Sequence, residues 1–103
     1  MIKKLIEKYG NDFNWWVPDS MEYLNSEIQK ELVTGHELKG KDLKAIAKCE
    51  YNDNALFQGR DRVYIVHLLW NKGDKKFPRY IEFLNLEDAI NYIEKEYVDE
   101  YKQ

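Results

Sequence analysis

Cysteine, proline and glycine are scarce in this chain: one, two and five among 103 residues. The single thiol, Cys49, excludes an intramolecular disulfide and a cysteine-based zinc site. A lone thiol without an export signal at the start of the sequence fits a reducing compartment, so a cytoplasmic location is expected. No apolar run approaches the roughly 18 residues that span a bilayer. The C-terminal amphipathic segment is acidic where a membrane-lying helix would be basic, so no membrane partner is expected. Gly-x-Gly-x-x-Gly and phosphate-loop patterns are missing, and His36 and His67 stand too far apart to form a metal-ligand pair in sequence. Neither a metal nor a cofactor is expected.

What the chain has is apolar and aromatic mass: 44% hydrophobic residues, 15% aromatic and 34% charged, with a net charge of −3. A chain of this length buries one core and not two, which excludes a multidomain enzyme, and the aromatic content excludes a disordered chain. One domain spanning residues 1–103 is expected.

Hydrophobic periodicity divides the chain in three. Ile2, Leu5, Ile6 and Tyr9 repeat with helical spacing before Gly10. After Pro18, Asp19 and Glu22 stand at capping-box spacing, followed by a stripe of Met21, Leu24, Ile28 and Leu32 that Thr34-Gly35 closes. From Lys41 to Leu84 the period becomes two. Leu43, Ala45, Ala47, Cys49 and Tyr51 alternate with Lys44, Ile46, Lys48, Glu50 and Asn52 and predict a strand with one buried face. Asn52-Asp53-Asn54 predicts a turn, Ala55–Gln58 a short strand, Val63–Trp70 a central strand covered on both faces, and Arg79–Asn85 a fourth strand. Asn85 then caps a helix whose face is Leu86, Ala89, Ile90, Ile93 and Tyr97. The expected fold is α+β: two N-terminal helices, a four-stranded antiparallel meander and a C-terminal helix packed on the sheet, with the helices gathered on one side.

Charge is unevenly placed. Residues 82–100 hold seven acids against Lys95, a local net of −6, and residues 60–79 hold six bases against Asp61 and Asp74, a local net of +4. Lys39, Lys41, Lys44 and Lys48 add positive charge to the outer face of the first predicted strand. A pI near 5.4 argues against nucleic acid as a partner. The acidic segment (Glu94, Glu96, Asp99, Glu100) suits a basic protein instead, because complementary charge speeds encounter.

Few residues suggest chemistry. His67 lies within a predicted strand, and with Glu82 as orienting carboxylate and Trp70 nearby it could form a pocket for a small molecule or a reaction. Alternation could also place Cys49 on the face of His67, yet no nucleophile motif surrounds them, and an inert thiol is the simpler reading. Phe13-Asn14-Trp15-Trp16-Val17-Pro18 follows neither period. Its tryptophans either cap the core or anchor a partner, including a second copy of the chain.

Lys48-Cys49-Glu50-Tyr51-Asn52-Asp53-Asn54-Ala55-Leu56-Phe57, with Tyr64–Trp70 and Phe77-Pro78, resembles small bacterial proteins in which an Asn-Asp turn and a Leu-Phe strand precede a Val-His-Leu-Thr-Trp strand. Leu69 stands where that pattern has threonine. Some of those proteins resemble immunity or accessory proteins of bacterial toxin systems. The resemblance covers about a third of the chain, and it implies a non-catalytic, protein-binding role, with His67 and Trp70 as the positions carried over. Together these readings predict a small α+β protein that contacts another protein through Trp15, Trp16 and the acidic helix. The alternatives are a His67-centred pocket and a structural homodimer.

Overall fold

The computed structural model describes residues 2–100. Helix α1 (Ile2–Tyr9) leads through a short 3-10 turn into strand β1 (Trp15–Trp16), and helix α2 (Glu22–Glu31) follows. Strands β2 (Lys44–Cys49), β3 (Asn54–Gln58), β4 (Val63–His67) and β5 (Tyr80–Phe83) come next, and helix α3 (Leu86–Glu100) ends the described chain. The sheet is a five-stranded antiparallel meander in the order β1-β2-β3-β4-β5.

The α+β class and the antiparallel meander agree with the sequence, but three details are corrected. A fifth strand lies between the two N-terminal helices, where Trp15 pairs with Cys49 and Trp16 with Lys48. Two residues are too few for alternation to show in a sequence. The Val63–Trp70 strand is interior and buried on both faces as expected, but β4 stops at His67 and leaves Leu68, Leu69 and Trp70 in the following loop. The helices also divide between the two faces of the sheet. The α1 and α3 side packs Leu5, Trp15, Leu56, Ile65, Ile90 and Ile93 together, and the α2 side packs Leu24, Ile28, Phe57, Tyr64 and Val66.

A β-bulge explains why β2 misleads. Ala45 pairs with Phe57 and Ala47 with Leu56, so Ile46 is the extra residue. Past that point the strand's faces are exchanged: Leu43 and Ala45 face α2, whereas Ala47 and Cys49 face α1 and α3. What reads as one buried face is two half-faces serving opposite cores.

Local signals near the ends hold. Gly10 adopts φ 79°, which lets the chain turn out of α1 into the 3-10 segment. Asn85 caps α3, its Oδ1 accepting the Asp88 N–H at 2.9 Å. Helix α2 is different: its first amide bond from Glu22 goes to Ser20 Oγ at 3.3 Å, not to Asp19. Its last residue is Glu31, before the Thr34-Gly35 stop.

Candidate functional site

The bulge turns Lys48 toward the α2 side, where it stands opposite Trp16 across the β1–β2 pair. Successive residues of a strand face opposite ways, so Trp15 is buried (2% exposed) and Trp16 stays 43% exposed. Tyr23, from the first turn of α2, and Trp70, from the loop after β4, are exposed to a similar degree, 45% and 42%. These three aromatics, with Lys48, Cys49 and Glu50, line an open cleft of about 510 Å³.

Trp70 is held with unusual firmness. Its backbone sits at φ 57°, a left-handed conformation unfavourable for a bulky residue. The Glu31 side chain, fully buried at the end of α2, secures it there. Oε1 accepts the Leu69 N–H at 2.8 Å and Oε2 accepts the Trp70 N–H at 2.9 Å. The Glu31 carbonyl also accepts the Gly73 N–H at 3.1 Å, and a Cβ on Gly73 would collide with that oxygen and with the Phe77 carbonyl. The Trp70 indole N–H donates to Asp53 Oδ1 at 3.0 Å, which sets the ring's orientation. Backbone strain maintained by its surroundings concentrates at binding clamps.

Titration in this region follows from burial. Desolvation, with Glu27 beside it, pushes the Glu31 carboxyl up to about 7 against the opposing pull of the Leu69 and Trp70 N–H groups. Burial lowers the Lys48 ammonium, which donates to the Cys49 and Asn52 carbonyls at 2.6 Å each. Lys48 is therefore half-buried and turned into the fold, contrary to its expected place on an outer face. Burial likewise raises the Cys49 thiol, so it is no ready thiolate.

The residues proposed from sequence are dispersed. His67 is exposed at the end of β4, its Nδ1 2.8 Å from Asn54 Oδ1. Glu82 pairs with Tyr64, which places it on the α2 face, whereas His67 follows the parity of Ile65 on the other face. A His67–Glu82 dyad is thus prevented by strand parity. Glu82 instead lies 3.8 Å from Arg62. A smaller hollow of about 290 Å³ includes His67 with Asn54 and Arg79, without Trp70 or Glu82. Strand β3 separates Cys49 on β2 from His67 on β4.

The acidic helix is partly engaged within the fold. Glu94 accepts Lys8 Nζ at 2.8 Å and Tyr9 Oη at 2.6 Å, Lys95 binds Asp99 at 2.6 Å, and Tyr92 donates to Glu96 at 3.3 Å. Glu100 lies exposed near the end of the described helix. Residues two apart on a helix point about 200° away from each other, so Glu94 and Glu96 flank the buried stripe on opposite sides.

Glu31, Tyr23 and Asp53 escaped the sequence reading as site residues. Glu31 left a trace: it lies three residues after Ile28 and seven after Leu24, on the buried stripe of its helix, where a carboxylate demands a partner. Among the described residues no cluster of His, Cys, Asp and Glu could hold a metal, and no helix is long and apolar enough to cross a membrane. Comparison of the chain with family models, curated proteins and solved structures finds no match in any of the three.

Proposed function

We propose that this protein is a non-catalytic protein-binding domain whose contact site is the Trp16–Tyr23–Trp70 cleft. The observation that carries the reading is the convergence of three half-exposed aromatics, from three separate segments, on one cleft. Large rigid aromatics contribute much contact area for little lost side-chain entropy, and they dominate binding hot spots. One of them is fixed on a left-handed backbone by a buried carboxylate, so the site is ordered before a partner arrives.

The immunity-type role suggested by the sequence belongs to this reading. Exposed carboxylates at the end of α3, Glu100 foremost, would speed encounter with a basic partner. Of the tryptophan pair only Trp16 is available for contact, since Trp15 is core.

The test is capture of a partner from the native host by three forms of the protein: wild type, Trp16→Ala/Trp70→Ala, and Asp99→Asn/Glu100→Gln. The aromatic variant should lose a partner that wild type retains, while the acid variant keeps it with slower association at low salt. Equal retention of that partner by the aromatic variant, or no stoichiometric partner for wild type, would overturn the reading.

A further inference from the structure

We infer that the cleft takes an extended, proline-rich segment of a partner protein with a basic residue set against Glu50. This rests on the protein-binding reading and names the ligand of the same site.

Few polar side-chain atoms of the cleft remain uncommitted. The Lys48 ammonium is bound to two backbone carbonyls, the Trp70 indole N–H to Asp53, and Cys49 is 1% exposed. Among the described side chains of the lining, the Trp16 indole N–H, the Tyr23 hydroxyl and the Glu50 carboxylate are left without a hydrogen bond or ion pair. A ligand therefore meets aromatic faces, one indole N–H, one hydroxyl and one carboxylate. An ordinary peptide laid there would bury several backbone N–H groups against too few acceptors, an arrangement that loses free energy for every donor left unpaired. Proline has no N–H to strand. A polyproline II segment is also already extended and makes no internal hydrogen bonds, so little order must be imposed on it when it docks between aromatic ridges.

Charge selects the rest of the ligand. The one cation of the lining, Lys48, is turned inward onto two carbonyls, while Glu50 and Asp53 are exposed. Asp19 and Glu22, exposed on the segment joining Trp16 to Tyr23, have the same sign. A basic side chain next to the prolines is complementary to them. Two other ligand classes fit less well. A polar small molecule needs several convergent free polar groups, which this lining lacks. A quaternary ammonium carries no N–H and no acceptor, so it would leave the Trp16 indole N–H and the Tyr23 hydroxyl of the lining without a partner.

The experiment titrates the protein with the acetylated, amidated peptide Arg-Ala-Pro-Pro-Ala-Pro-Pro, followed by tryptophan fluorescence and amide NMR shifts. Controls are the same peptide with glutamate for arginine, the same peptide with alanine for every proline, and choline chloride. Saturable binding is expected, with shifts centred on Trp16, Tyr23, Glu50 and Trp70. It should weaken at least about tenfold in Tyr23→Ala and in Glu50→Lys, both surface changes that leave the core intact, and in both peptide controls. No saturation by about 1 mM overturns the inference, as does equal binding of the alanine peptide or saturation of the same residues by choline. If the peptide fails while Trp16→Ala/Trp70→Ala still loses a native partner, the ligand class falls and the protein-binding reading stands. If both fail, both fall.

Discussion

The two sides of the sheet are closed by different physics. On one side, α1 and α3 together cover the strands with aliphatic side chains and an aromatic cluster in which Tyr9, Phe13 and Tyr97 lie 4.8 to 5.8 Å apart. On the other side a single ten-residue helix, α2, must cover the same sheet. It does so with help from buried polar clasps. Asn25 Oδ1 accepts the Ala45 N–H at 2.7 Å, His36 bridges the Pro78 carbonyl and the Leu38 N–H, and Glu31 holds the Trp70 loop. One helix cannot reach every strand, and the uncovered end is where Trp16, Tyr23 and Trp70 surround the cleft. Incomplete closure on one side, stabilised by directional bonds, leaves an ordered surface open for contact.

The largest effect that would test this contrast is in the shared sheet. Phe57 is fully buried beneath α2 and Trp15 is 2% exposed beneath α1. Alanine at either position should lower unfolding free energy by about 3–5 kcal/mol in urea titrations. A much smaller loss at Phe57 would mean that the α2 side is packed more loosely than described.

Next comes the clasp itself. Glu31→Gln exchanges one acceptor oxygen for a donor facing a backbone N–H, and should cost about 1–3 kcal/mol. Acidity gives a sharper version. The folded carboxyl titrates near 7 against an ordinary value of 4.5, so the folded state holds a proton that the unfolded chain releases. Its stabilising contribution is complete below pH 4.5 and is lost as pH rises through about 7. Urea midpoints measured across that window should fall with rising pH in wild type, and the component due to this group should vanish in Glu31→Gln. An unchanged slope in the variant would place the titrating group elsewhere.

On the better-covered side, Asn85→Ala removes the α3 cap and should cost about 1 kcal/mol in the same titration. Smallest of all, Trp16→Ala should change stability by no more than about 0.5 kcal/mol, because its ring is a surface group. The neighbouring tryptophans then differ several-fold in their effect on folding, and a large loss at Trp16 would make it core rather than contact surface.

Much of the fold could be read before the structure, and the parts that could not share a cause. The α1 and α3 stripes, the Gly10 break, the Asn85 cap and the Asn52-Asp53-Asn54 turn all depend on residues within a few positions of one another. The β2 bulge, strand β1 and the division of helices between faces depend on partners far along the chain. The same holds for the site. Trp16 and Trp70 could be singled out as large aromatics, but nothing local brings residues 16, 23, 48 and 70 together. His67 and Glu82 show the converse: both belong to strands read approximately from the sequence, and pairing register sets them on opposite faces.

Composition and short-range periodicity suffice for an α+β pattern, the end of α1 and the start of α3. Tertiary structure alone decided which tryptophan is buried, which way Lys48 turns and what Glu31 holds. Each of those outcomes follows from strand register and from hydrogen bonds between distant residues, where a shift of one position moves a side chain to the other face of the sheet.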